Sequence, residues 1–198
     1  MEKLYIIGNG FDIYHGLDTR YQSFAKYLAK IDIELYEMIV TYYELPDIVE
    51  DSVSDEAYNA WSTFELSLAD LDYELVLEDY SDSMADPSSE DFRDRDWHTY
   101  QIDMELVMGK LTTRLISIFN DFILEVYYPD NVDNVKLKIS LQSHFLNFNY
   151  TNTLVKYYGI NDMKICYIHG KASDETCDII LGHGTEPSTF EEKSPEPP

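Results

Sequence analysis

Basic residues, cysteines and long apolar runs are what this chain has least of. Fourteen Lys and Arg stand against 38 Asp and Glu in 198 residues, a formal net charge of -24 at pH 7. A nucleic-acid binder needs a basic footprint, so that class is excluded. An anionic membrane surface is equally unfavourable. Two cysteines, Cys166 and Cys177, are too few for a disulfide framework or a four-thiolate zinc site. They read as reduced thiols of a cytoplasmic protein. No apolar run approaches the roughly 20 residues of a transmembrane helix. The N-terminus enters a strand without the charged n-region and cleavage site of a signal peptide. HxH and HExxH spacings are missing, so no metal is expected, although His15, His169 and His183 with Asp12 can be drawn as a site.

What is present is an ordinary folding composition, 44% hydrophobic and 14% aromatic, with acidity confined to the middle. Between Asp32 and Asp96 there are 21 acids against Arg93 and Arg95, a net of -19. Between Leu141 and Gly184 four acids meet three lysines, a net of -1. The acidic run is a solvated face or a docking surface for a basic partner.

The chain is organised around Phe145-Leu146-Asn147-Phe148-Asn149-Tyr150-Thr151, followed by Ile168-His169-Gly170. Leu146 to Tyr150 alternates apolar and amide side chains, which predicts a half-buried strand. Thr151 and Asn152 are good caps for a short helix over Thr153–Tyr158. Met163 to Ile168 predicts the next strand. Asn149 and His169 then stand at neighbouring strand tips, where open α/β sheets bind ligands. Asn149 supplies a donor and an acceptor, and His169 supplies a base near neutral pH. The plainer alternatives are an amide capping the next helix and a turn histidine packed beside Gly170.

At the other end, Lys3 to Ile7 predicts a buried central strand, apolar on both faces. It runs into Gly8-Asn9-Gly10-Phe11-Asp12 and His15-Gly16-Leu17. A Gly pair after a first strand lets the backbone approach a phosphate; otherwise it is a tight turn needing positive φ. A helix capped by Asp18 or Thr19 follows, with Tyr21, Phe24, Ala25 and Leu28 on one face. Helices are predicted over Ile33–Tyr43, Ala57–Leu71 and about Phe92–Val126, the last with a stripe of Met104, Met108, Leu111, Leu115, Ile118 and Phe122. Asp79 to Glu90 reads as a loop, Asp178 to Leu181 as a final strand, and the Pro- and Glu-rich end as a frayed tail. His98 and His144 read as surface and strand-edge residues. Glu65 reads as a paired carboxylate or the polar wall of a cleft.

The set GNGFD…HGL, NAWSTFE, FLNFNYTNTL, YIHG and LGHG resembles the bacterial AbiH abortive-infection family of phage defence, over Ile6 to Gly184. It is similar, more distantly, to the sirtuin nucleotide-binding frame. In that register Gly8, Asn9, Gly10, Phe11, Asp12, His15, Gly16 and Leu17 overlie the sirtuin glycine turn. Asn147 to Thr151 overlies T-Q-N-I-D, and His169-Gly170 the catalytic H-G. The sequence departs from sirtuins at Asn9 and Asp12, where they carry Ala and Ser, and lacks their paired zinc cysteines. The strands that hold the adenosine half of NAD in sirtuins lie beyond the point equivalent to Gly184, so the resemblance implies another hold on the cofactor, a loss of binding, or a shortened member.

The resemblance implies a phage-defence protein that hydrolyses NAD at the nicotinamide–ribose bond, with Asn149 and His169 catalytic. It implies Gly8, Asn9, Gly10, Phe11, Asp12, Gly16, Asn147 and Gly170 as binding residues. The alternative is a non-catalytic nucleotide sensor or interaction module of a defence system. The expected fold is α/β: a small parallel, sirtuin-like (Rossmann-type) sheet with helices on both sides and a large helical insertion. Residues 1–30 and 135–184 would form the nucleotide-binding core, 31–134 the acidic insertion, and 185–198 the tail. The expected partners are a nucleotide and either a second copy or a basic protein, with no nucleic acid and no membrane.

Overall fold

A computed structural model describes residues 3–49, 53–81, 98–132, 134–173 and 178–182. Its described residues form a mixed α/β protein with a small three-stranded parallel sheet and a larger set of helices that has its own core. Strands β1 (Leu4–Ile7), β2 (His144–Asn147) and β3 (Ile165–Tyr167) pair in the order β1-β2-β3. Both ladders are parallel, with Ile6 beside Leu146 and Leu146 beside Cys166. The central strand is therefore β2, and the expectation that β1 is central is corrected. Its apolar pattern misled because only one face is covered: Ile7 is buried, while Leu4 and Ile6 are 64% and 70% exposed. Phe145, Ile165 and Ile7 pack on the covered face against Leu154 and Ile160, with Phe11 and Tyr158 at the margin.

Among the described residues the β1–β2 connection carries the α-helices α1 (Asn9–Tyr14), α2 (Tyr21–Ile31), α3 (Ile33–Tyr42), α4 (Asp55–Ala60), α5 (Phe64–Ser67), α6 (Tyr73–Asp79), α7 (Thr99–Gly109) and α8 (Leu115–Glu125). Helix α9 (Thr153–Tyr158) links β2 to β3. Local chemistry sets many of the ends. Asp32, Ser54 and Asp72 each accept a backbone N–H three residues on, starting α3, α4 and α6. Gly159, in the left-handed region at φ 63°, stops α9. The α2 cap differs from expectation. Asp18 instead accepts from Ser23 Oγ, and the Thr19 hydroxyl is used by Asn9.

The helices share one core built on Phe24, Leu28, Tyr36, Trp61, Phe64 and Phe119, and Tyr150 and Ile179 reach into it from beyond β2. Each fully buried side chain of this kind contributes roughly 1.5–3 kcal/mol of transfer free energy. The single helix expected over Ala57–Leu71 is broken by a 3-10 turn at Trp61–Thr63. There the buried indole Nε1 donates to the Pro46 carbonyl at 2.8 Å. The long helix holds from Thr99 to Glu125, but through a π turn at Lys110–Arg114. The added residue rotates the buried face. Met108 of the expected stripe is therefore exposed and Val107 is buried in its place.

Residues 178–182 run beside the end of β3 without forming a strand; Ile180 N–H donates to the His169 carbonyl at 2.9 Å. The expected final strand is corrected to that extent. His183, Gly184, Cys177, the tail and most of the expected 79–90 loop lie outside the described residues. No helix among the described residues is long and apolar enough to cross a membrane.

Candidate functional site

Past Asn147 the central strand breaks into a buried turn. Asn147 is itself buried, and its Oδ1 accepts the Asn149 N–H at 3.1 Å, an Asx turn that ends the strand. That turn carries Asn149 under the first strand's end, where its Nδ2 donates to the Gly8 carbonyl at 3.1 Å. Asn149 does not cap α9; Asn152 occupies the N-cap, but its side chain accepts from Tyr128 Oη and makes no capping bond. The same turn delivers Tyr150 towards the helices and Thr151 towards Asp12.

These groups surround a cavity of about 240 Å³. Asn9, Asp12 and Thr19 line it from the β1 side, and Tyr21 and Glu65 from α2 and α5. Phe119 and Ile123 of α8 form an apolar wall. Phe148, Asn149, Tyr150 and Thr151 come from the turn after β2, and His169 from just beyond β3. Asn149 and His169 are 5% and 8% exposed, and the two line the same chamber. The His169 ring lies 5.6 Å from the Phe148 ring and 6.1 Å from that of Tyr150. A chamber this size is below the roughly 300–1,000 Å³ of drug-sized ligand sites.

The chamber is acidic. Glu65 accepts hydrogen bonds from the Tyr21 and Tyr150 hydroxyls, the latter at 2.6 Å. Burial and this carboxylate both push the two phenols' pKa values up, so they remain protonated donors. Asp12 is 1% exposed; its Oδ2 accepts from Thr151 Oγ1 at 2.6 Å, and Thr151 in turn contacts Thr153 Oγ1 at 2.9 Å. Its Oδ1 is buried without a hydrogen-bond partner. Burial raises the Asp12 pKa above the usual carboxylate range, against the pull of the Thr151, Thr153 and Asn149 side chains and of His15. Among the described lining residues there is neither lysine nor arginine.

The remaining residues singled out in the sequence do other work. Gly8 caps α1 at φ -129°, and Gly10 also has no positive φ, so the tight-turn reading of this pair is corrected. A Cβ at either position would meet nothing within 4 Å. Asn9 lines the chamber while tied to Thr19, whose Oγ1 donates to Asn9 Oδ1 at 2.5 Å. Phe11, Gly16, Asn147 and Gly170 do not line the chamber. Phe11 packs its ring at a tilt against those of His15 and Tyr158. Gly16 is a turn at φ 83°. Gly170 sits at φ 81°, where a Cβ would lie 2.1 Å from the Asp178 carbonyl oxygen.

His15 is also committed elsewhere. Its Nδ1 donates to the Phe11 carbonyl at 2.7 Å, which leaves Nε2 to accept from Tyr158 Oη at 2.7 Å. Neither nitrogen is then available to a metal. No cluster of three or more His, Cys, Asp or Glu fit to hold a metal occurs among the described residues. Tyr21 and Tyr150 as chamber walls, and Thr151 as the partner of Asp12, are marked in the sequence only by a polar tip in an otherwise apolar or capping pattern.

No curated protein and no solved structure matches this chain. The sequence model of the family described as bacteriophage abortive infection AbiH matches residues 4–196. With nearly the whole length covered, and the GNGFD bend, the FLNFNYT turn and the IHG segment all inside that span, the chain belongs to the AbiH family of phage abortive-infection defence.

Proposed function

We propose that the chamber hydrolyses the nicotinamide–ribose bond of NAD as the chain's act in abortive infection. The observation that carries this reading is that Asn149 and His169, 20 residues apart in sequence, line one small chamber at the ends of parallel strands. The C1′–N bond breaks through an oxocarbenium-like state, and its electron pair neutralises the pyridinium as nicotinamide leaves. Water adds at C1′ and gives up a proton, leaving ADP-ribose. Asn149 spends its Nδ2 on Gly8 and keeps its Oδ1 as an acceptor for that water or a ribose hydroxyl. His169 receives the proton. Phe119 and Tyr150, both buried, give the reacting end an apolar wall. The binding residues of this reading are Asn9 and Asp12, which line the chamber, with Gly8 holding the Asn149 amide in place.

The test is release of free nicotinamide from NAD by the purified full chain. Asn149→Ala and His169→Ala should each lower it about 100-fold or more. Turnover unchanged in both variants removes the pair from the chemistry. A second reading, a non-catalytic nucleotide sensor that acts through a protein partner, is favoured by one observation. The uncovered sheet face presents Leu4, Ile6 and Ile168 to solvent. Nucleotide binding without turnover by the activated protein would select it.

A further inference from the structure

The groups that close the chamber are unequal in how well they are satisfied. Glu65 already serves two phenol hydroxyls. Asp12 has one oxygen bonded to Thr151 and the other buried with no partner, although it lines the same chamber. A buried, unpartnered carboxylate oxygen is costly to keep and calls for a donor or a positive charge. No lysine or arginine among the described lining residues supplies one. Tyr21, Phe119, Phe148 and Tyr150 line the same chamber, with Phe119 and Tyr150 at 4.9 Å between centroids. Aromatic faces attract a flat cation as well as an apolar ring. The carboxylate does not: it favours the charged ring alone.

We infer that Asp12 is a specificity-determining residue, which makes the chamber select a cationic aromatic ring over its neutral counterpart of the same shape. The ligand class is the oxidised pyridinium nucleoside; the reduced dihydropyridine is discriminated against. The inference rests on the NAD-directed reading of this site and adds to it the redox form that the site accepts. It assigns Asp12 a task that neither Asn149 nor His169 can perform, since neither side chain is a carboxylate. Phosphate groups have no part in it, which suits a chain of net charge -24.

The experiment is calorimetric titration of the full chain with nicotinamide riboside and with its reduced form, both free of phosphate. The wild type should bind the oxidised form about tenfold or more tightly, the worth of a charge-assisted contact. Asp12→Asn should bring the two affinities together, while Thr151→Val, which keeps the carboxylate, should retain the preference. Where Asp12→Asn does not fold, Glu65→Gln decides in its place: preference retained there supports Asp12, and preference lost overturns the assignment. Equal affinities in the wild type, binding of neither form, or a preference surviving in Asp12→Asn also overturn it. Nicotinamide release from NAD is followed in parallel. Turnover with equal affinities defeats this inference and leaves the hydrolase reading standing; a clear preference without turnover does the reverse.

Discussion

Thr151 Oγ1 donates a 2.6 Å hydrogen bond to Asp12 Oδ2 across 139 residues of chain. It ties the first helix to the turn beyond the central strand, and it leaves the second oxygen of Asp12 buried and unserved.

That imbalance has a pH signature. Burial holds the folded-state pKa of Asp12 above the ordinary carboxylate value, outweighing the hydroxyls, the Asn149 amide and His15 that pull it down. Protonated Asp12 therefore sits in the fold at little cost, and its contribution is complete below the unfolded pKa of about 3.9. It is lost as pH rises through the higher folded pKa. Asp12→Asn should be more stable than wild type at pH 7 by about 1–3 kcal/mol, the cost of an unserved buried group. The gap should close as the pH falls towards about 4. Urea denaturation over that range measures it. A wild type that outlasts the variant at neutral pH would mean the ionised carboxylate is compensated.

Gly170 should not tolerate alanine. The backbone there is at φ 81°, and a Cβ would collide with the Asp178 carbonyl. Strain and clash together should cost about 2 kcal/mol or more, lowering the urea midpoint with the slope unchanged. Because this position bears on the backbone next to His169, any nicotinamide release should fall with it. An unchanged midpoint would show that residues 178–179 do not press on the IHG turn.

Tyr158→Phe should separate architecture from chemistry. Tyr158 Oη bridges His15 Nε2 at 2.7 Å and receives the Leu137 N–H at 2.8 Å. Losing the hydroxyl strands both partners and should cost about 1–3 kcal/mol. The chamber is not lined by Tyr158, so affinity for nicotinamide riboside should hold at temperatures well below unfolding. A lost affinity with intact stability would place this network in the binding machinery.

Ile6→Thr probes the uncovered sheet face. At 70% exposure the side chain has little to lose, and the variant should stay within about 0.5 kcal/mol of wild type. A larger drop, read by denaturation at several protein concentrations, would mean that another surface covers Ile6 in solution.

What the sequence revealed, and what it withheld, follows the range of each interaction. Helix α9 was legible at Thr153–Tyr158 because Gly159, in the left-handed region, stops it locally, although the expected caps at Thr151 and Asn152 make no side-chain capping bond. The face of Phe24, Ala25 and Leu28 was legible for the same reason. The π turn was not, since Lys110–Arg114 carries no local mark of one extra residue, and Met108 was read inward in consequence. The rank of β1 in the sheet was hidden too: Leu4, Ile6 and Ile7 are alike apolar, and only the tertiary arrangement leaves the first two in water. At the chamber, Asn149 and His169 stood out by residue type. The union of Asp12 with Thr151 could not, because a capping threonine looks the same whichever carboxylate it finally meets.

One consequence concerns synthesis. Lys3 N–H reaches Ser143 Oγ across 140 positions, so the first strand has no neighbour until most of the polypeptide has left the ribosome. At translation rates of about 5–20 residues per second, the wait is on the order of 10 s. Throughout it a sticky, unpaired segment trails from the nascent chain while the helices gather behind it. Early chaperone capture of the first seven residues would shield a strand whose partner does not yet exist.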